Sequence, residues 1–146
     1  MTNFTTKLMI AAATSLVAAG TVTTASAQSM KAEIPFTFRV SNKVMSAGSY
    51  RVEETRGALG YGPFHIASAD GSSHAVVLPA GGKDPDKKWV DNGKAVLAFD
   101  CSSGTCRLAA LYNPVHGPEY TFPGAKLGKG ERAGLVLIDL KTDKGD

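Results

Sequence analysis

The chain has 146 residues, of which 16 are Lys or Arg and 13 are Asp or Glu, so the formal net charge at pH 7 is only +3. The basic residues are scattered, and their longest cluster is Lys87-Lys88. This argues against a nucleic-acid binder, because such proteins concentrate Lys and Arg on one face. The length suits one domain with a single hydrophobic core and leaves little chain for a deep, enclosed active site.

The amino-terminal segment, residues 1–27, has the three parts of a cleavable secretory signal peptide. Lys7 and the amino terminus give a short positive region, residues 8–19 are almost wholly apolar, and residues 25–27 read Ala-Ser-Ala. A bilayer span needs roughly 20 apolar residues, so we predict a helical signal peptide and no membrane span after cleavage. The working protein is then a single β-rich domain, residues 28–146, exported to the periplasm or the cell exterior.

Alternating apolar and polar residues predict short β-strands in the first half of this domain. A polar lead over residues 28–32 precedes a strand over 34–40, where every second residue is apolar. Further strands are predicted over 49–54, 64–68 and 73–78. The Val-Val-Leu end of the last strand indicates burial on both faces.

The Asp70-Gly71 dipeptide is a strong signal for a two-residue hairpin between the last two of these strands. Counting outward from the turn, His65 comes to lie opposite Val76, and His74 opposite Ala67. The two histidines are therefore predicted to be a diagonal pair on neighbouring strands.

The second half continues as loops and short strands. Residues 79–86 are rich in Pro and Gly and form a loop, and a hairpin is predicted over 89–100 with its turn at Asn92-Gly93. Residues 113–130 form a long irregular excursion, and 135–140 a closing strand. Sustained helical periodicity is absent from the sequence after the signal peptide. The predicted fold is all-β, an antiparallel β-sandwich or small barrel of about seven to nine short strands.

Cys101 and Cys106, the two cysteines of the chain, both lie in the exported part. An even pair in an oxidising compartment is expected to form a disulfide. The intervening Ser-Ser-Gly-Thr suits a hairpin loop, in which Gly104 can take a positive φ. We predict a structural Cys101–Cys106 bridge that fixes the register of this hairpin.

Two segments carry a resemblance to a known group of proteins. Residues 34–40 read Ile-Pro-Phe-Thr-Phe-Arg-Val, and residues 47–52 read Ala-Gly-Ser-Tyr-Arg-Val. This opening resembles that of uncharacterised small secreted β-proteins of soil bacteria, notably of the acidobacterial type, although Ser46 stands where those proteins usually have Pro. The resemblance implies export and a β fold, and it implies no catalytic residue.

Motifs for catalysis or cofactor binding are absent from the sequence. No Gly-x-Ser-x-Gly elbow occurs, and Glu53-Glu54 are neighbours on a strand that must point to opposite faces. We therefore predict no catalytic, cofactor-binding or metal-ligating residue. A small secreted hydrolase or metal-binding protein remains an alternative, and it requires two of the three histidines and an acid within reach of one another; a metal site would want a third ligand such as Asp100 or His116. These histidines are His65, His74 and His116.

The aromatic residues fall into two groups. Those on predicted strands are expected to form the core: Phe36, Phe38, Tyr50, Phe64 and Phe99. Trp89, Tyr61 and Tyr120 fall in or near loops, where aromatic rings can stack on sugars or anchor a partner protein.

The leading hypothesis for function is a non-enzymatic structural or binding module of the cell envelope or extracellular space. The alternative is a carbohydrate- or surface-binding module, whose partner is an envelope polysaccharide or protein and not a nucleic acid. The alternative predicts that the rings of Trp89, Tyr61 and Tyr120 share one exposed face.

Overall fold

A computed structural model describes residues 28–57, 60–102, 104–124 and 134–143. The predicted signal peptide lies outside this part of the chain, as do residues 125–133 of the irregular excursion. The described residues form eleven strands and one helix: β1 (Gln28–Ile34), β2 (Phe38–Val40), β3 (Lys43–Met45), β4 (Gly48–Glu54), β5 (Phe64–Ser68), β6 (His74–Val77), β7 (Gly81–Lys83), α1 (Lys87–Asn92), β8 (Ala95–Asp100), β9 (Cys106–Tyr112), β10 (Glu119–Thr121) and β11 (Leu135–Thr142).

The strands form one mixed sheet that nearly closes on itself. Nine of them follow the order β3-β2-β9-β8-β11-β1-β4-β5-β6, and the short β10 and β7 extend from β9. The two ends of this path approach each other where the Lys43 Nζ donates to the His74 carbonyl oxygen at 2.5 Å. The all-β prediction is confirmed, and the arrangement is that of the small barrel. One pair, β2 with β9, is parallel, so the expectation of a wholly antiparallel sheet is wrong at this place.

The hydrophobic core fills the space that the curved sheet encloses. Strand β4 shows the alternation that places residues there, since Tyr50 and Val52 are buried while Arg51 is exposed. Of the aromatic residues predicted to form the core, Phe36 is partly buried against it and the others are fully inside. The prediction that β6 is buried on both faces is wrong, because Val76 and Leu78 are 49% and 63% exposed.

The predicted first strand is two strands in the structure. Residues 28–34, of which 28–32 were predicted as a polar lead, form β1, with Met30 and Ala32 facing the core and Lys31 facing solvent. The strand ends at Ile34 because Pro35 has no N–H to donate to the ladder. The chain resumes as β2 in the other half of the sheet.

Helix α1 replaces the first arm of the hairpin predicted over residues 89–100, while the second arm is present as strand β8. The Asp86 carboxylate caps its start by accepting from the Lys88 N–H at 2.9 Å. Gly93 ends it in the left-handed region, with φ 65°, and its N–H donates to the carbonyls of Trp89 and Val90. The Asn92-Gly93 signal was therefore a helix terminus, because Gly at this position stops a helix as readily as it turns a hairpin.

The helix covers the outer faces of β8 and β9. Trp89 packs there with Val96, Ala98, Ala110 and Tyr112 in a second apolar cluster. These two strands are therefore buried on both faces, whereas β4 is buried on one. A six-residue helix therefore adds a layer outside the sheet at this place.

The disulfide is present between Cys101 and Cys106, as predicted. It closes the turn between β8 and β9, where the Asp100 carboxylate accepts from the Ser102 N–H at 3.0 Å and from its hydroxyl at 2.7 Å. These bonds, the one from the hydroxyl above all, lower the pKa of Asp100. Helices long and apolar enough to cross a membrane do not occur in the described part of the chain.

Candidate functional site

A pocket of about 750 Å³ opens at one end of the barrel. It lies where β4, β6 and β9 end, and its walls come from described residues that follow these strands, within 60–61, 79–85 and 116–120. The segment after β4 is closed at its base by the Thr55 N–H, which donates to the Pro63 carbonyl at 3.0 Å. The lining residues are Gly60, Tyr61, Pro79, Ala80, Gly81, Gly82, Lys83, Asp84, Pro85, His116, Gly117, Pro118 and Tyr120.

Two tyrosines and bare backbone make most of the wall. Tyr61 is 52% exposed, and Tyr120 is buried to 6% exposure and packs on Phe64 of the core. Tyr120 pairs with Gly82 in the β10–β7 ladder, where a Cβ at position 82 would lie 3.9 Å from its ring. The wall therefore offers aromatic surface together with peptide groups.

The buried polar group beside this pocket is a pair formed by Glu54 and His116. Glu54 is the last residue of β4 and continues the inward phase of Tyr50 and Val52. Its Oε2 contacts the His116 Nδ1, and the two side chains are only 1% and 4% exposed. Glu53 points outward on the same strand, which confirms the prediction that the two carboxylates lie on opposite faces.

A turn held by Asn113 presents the histidine. The N–H groups of His116 and Gly117 donate to the Asn113 carbonyl at 2.9 and 3.1 Å. The Asn113 side chain accepts from the Val115 N–H at 3.1 Å, and Asn113 is itself buried. The imidazole therefore enters the barrel from a loop that its own backbone hydrogen bonds hold in shape.

Burial decides the electrostatics of this pair. It lowers the pKa of His116 below the ordinary 6.5, against the opposing effect of the Glu54 carboxylate, and the Arg56 cation lowers it further. Burial and the Glu54 charge both raise the pKa of Tyr120. Oε1 of Glu54 has no hydrogen-bond partner among the described residues. A buried oxygen of this kind lowers the stability of the fold, because its lost hydration is not replaced.

The charges at the rim are largely balanced. The Lys83 Nζ lies 3.3 Å from the Glu119 Oε1, and the Glu119 side chain is 1% exposed. Oε2 of Glu119 accepts from the Asp86 N–H at 3.2 Å, which ties β10 to the start of α1. Asp84 adds a carboxylate beside Lys83. A pocket with such balanced charge favours a neutral ligand over an ion.

The three loop aromatics do not share one exposed face. Tyr61 and Tyr120 line the same pocket, but Trp89 is 7% exposed and lies in the cluster under α1, 6.4 Å from the Tyr112 ring. The prediction for Trp89 is wrong because the residue lies on a helix whose inward side carries it onto the sheet.

The histidines also separate. His116 lies in the pocket wall, while His65 and His74 lie beside each other on the outer face of β5 and β6. The structure confirms their register, since His65 pairs with Val76 and Ala67 with His74. Groups of three or more His, Cys, Asp or Glu side chains that could hold a metal are absent from the described residues.

Sequence reasoning did not find the Glu54–His116 pair. One signal was available, because Glu54 falls on the apolar phase of β4, and a carboxylate at an inward position needs a partner. No significant match to the chain is found among protein-family models, curated proteins or solved structures.

Proposed function

We propose that this protein is an exported, non-enzymatic binding module whose barrel-end pocket takes one or two sugar units of an envelope or extracellular polysaccharide. The observation that carries the proposal is the exposed ring of Tyr61 in the same pocket wall as His116, whose imidazole contacts the buried Glu54 carboxylate. A sugar ring has an apolar face to stack on tyrosine and hydroxyl groups to hydrogen-bond with polar groups of the wall.

The other contacts of the pocket support a neutral, hydroxyl-bearing ligand. Lys83 is paired with Glu119, so a phosphate or carboxylate ligand would compete with an internal anion. The wall at Gly81 and Gly82 is exposed and adds peptide groups that carry no side chain of their own. Among the lining residues that the structure describes there is no Ser, Thr or Cys, which favours binding over nucleophilic catalysis.

Export is supported by the signal-peptide pattern of residues 1–27 and by the disulfide, which persists in oxidising compartments. The resemblance of residues 34–40 and 47–52 to small secreted β-proteins of soil bacteria points the same way. An envelope or extracellular polysaccharide is a partner that such a location supplies.

The pocket is tested by adding cellohexaose, chitohexaose and xylohexaose separately to the ¹⁵N-labelled mature protein and recording amide chemical shifts. At least one of them should move the signals of Gly81, Gly82 and Gly117 in a saturable way. Tyr61→Ala should weaken that binding about tenfold, which corresponds to the loss of one stacking contact.

Leu137→Ala is the matched control, because Leu137 is an exposed side chain of similar accessibility on β11. It should leave the affinity unchanged. The proposal is wrong if none of the three sugars shifts the pocket signals at millimolar concentration, or if Tyr61→Ala and Leu137→Ala behave alike.

Export is tested on the full chain in a Gram-negative host by osmotic-shock fractionation and amino-terminal sequencing. The mature protein should leave the cytoplasm and begin at Gln28. Ala27→Leu should slow cleavage, since the signal peptidase needs a small residue there, and Ser29→Leu, beyond the cleavage site, should not. Retention of an uncleaved chain in the cytoplasm would contradict export and leave the pocket test standing.

A further inference from the structure

The His65 and His74 pair on the outer face of the sheet has a geometry that the pocket does not explain. The His65 Nδ1 lies 3.4 Å from the His74 Nε2. The ring centres are 5.7 Å apart, and the ring planes differ by 28°. The rings therefore lie side by side with one nitrogen of each facing the other.

The separation of these nitrogens fits two ligands of one metal ion. Imidazole nitrogens bind Zn²⁺ at about 2.0–2.1 Å, and two such bonds to atoms 3.4 Å apart enclose an angle of about 110°, the tetrahedral value. A square-planar ion would need the nitrogens nearer, at about 2.9 Å for right angles and bonds of the same length. Among divalent transition metals the spacing therefore favours zinc.

The sheet holds the two side chains in this relation. Strands β5 and β6 pair over four residues, and the register places His65 and His74 diagonally on one face. The turn that joins the strands is fixed by Asp70, whose Oδ1 accepts from the Ser72 N–H at 2.9 Å. Only the side-chain torsions of the two histidines remain free. Because the rings are at least partly exposed, they can rotate until both lone pairs point at one ion.

Two charged groups lie near the pair. Glu53 lies opposite His65 on β4, and its carboxylate favours a cation on this face. The Lys43 ammonium group donates to the His74 carbonyl, and its positive charge disfavours a second cation on this face. A two-ligand site with one acid and one base as neighbours has no large electrostatic bias, so the imidazoles themselves decide whether an ion binds.

We propose that His65 and His74 form a zinc-binding site on the outer face of the barrel, independent of the pocket. The His65 Nδ1 and His74 Nε2 supply the lone pairs, so the protons of the neutral rings are on the His65 Nε2 and the His74 Nδ1. Water molecules complete the four-coordinate shell, which leaves the ion accessible from outside.

The test is calorimetric titration of the mature protein with ZnCl₂ at pH 7.5 in a buffer that does not bind metals, and the electronic spectrum with Co²⁺ as a substitute for zinc. One ion per chain should bind, and the cobalt form should show the intense visible bands of tetrahedral coordination. His65→Gln and His74→Gln should each weaken binding about tenfold or more, since each removes one of two ligands. The double variant should be little worse than either.

The matched control is the double variant His74→Gln/Lys141→His, which keeps three imidazoles but moves one to β11, three strands away from β5 in the sheet. It should bind zinc as weakly as His74→Gln. The site is refuted if His65→Gln or His74→Gln binds zinc with wild-type affinity, if the control retains wild-type affinity, or if only a variant at His116 reduces binding. Circular dichroism spectra should match among all variants, because the substituted side chains of His74 and Lys141 are exposed and that of His65 is partly so.

Discussion

The two ends of the barrel differ in how far their polar groups are hydrogen-bonded. At the end opposite the pocket, the strands are joined by short turns, Asp70-Gly71 between β5 and β6 and the Cys101–Cys106 hairpin between β8 and β9. Polar groups there are satisfied within the turn, and bonds from Ser68 and Ser72 lower the pKa of Asp70 to about 2. At the pocket end, longer segments leave a buried carboxylate oxygen without a partner.

The difference indicates which end is shaped for binding. A turn that satisfies its own hydrogen bonds stabilises the fold and offers nothing to a ligand. A buried pair that is only partly satisfied, such as Glu54 and His116 beside the pocket, reduces stability. Substitutions at the two ends should therefore differ in how their effects respond to pH and to a second substitution.

The largest effect is expected at the pocket end. His116→Leu leaves the Glu54 carboxylate buried without a partner, and such a change lowers the free energy of unfolding by about 3 kcal/mol. Glu54→Met/His116→Leu, which replaces both partners by apolar groups, should recover most of that loss. Urea denaturation of the wild type and both variants measures this. A double variant no more stable than His116→Leu would show that the pair acts through packing alone.

At the turn end, Cys101→Ser/Cys106→Ser should lower the free energy of unfolding by about 2 kcal/mol, because a short loop loses little chain entropy when it is closed. The loss should be the same at pH 7.5 and pH 5.5. Denaturation of the wild type with and without a reducing agent gives an independent value. A loss that varied strongly with pH would remove the distinction between the two ends.

Gly71→Ala should lower the free energy of unfolding by about 1 kcal/mol, since the residue has φ 74° and a Cβ is disfavoured there. No atom outside the adjoining residues lies within 4 Å of that Cβ, so the effect comes from the backbone alone. Asn in place of Ala tolerates this conformation and should be milder. Equal losses for the two substitutions would contradict the backbone explanation.

The most gradual effect is the response of the wild type to pH. Because burial lowers the pKa of His116 in the fold, the unfolded chain binds more protons below its own value of about 6.5. Stability is therefore full above that pH and falls as the pH is lowered through it. Urea midpoints between pH 7.5 and 5.5 should fall in the wild type and much less in Glu54→Met/His116→Leu. If the urea midpoint changed equally with pH in both proteins, titratable groups other than His116 would cause the pH dependence.

Local features were predictable and distant pairings were not. The Asp70-Gly71 turn and the disulfide each depend on a few adjacent residues, and the register of His65 and His74 followed from counting along two strands. The helix α1 was missed because six residues are too few to show a period of 3.6. The Glu54–His116 pair joins the end of β4 to the turn after β9, far apart in the sequence, so only the folded sheet brings its members together.

The position of β11 determines when the sheet can be completed. It is the last described strand, yet it lies between β1 and β8, pairing with the first over two residues and with the second over six. Until residues 135–142 are available, both neighbours keep an unpaired edge and the sheet stays open. A chain that crossed a membrane from its amino terminus would therefore complete this sheet only after almost all of the described residues had passed through.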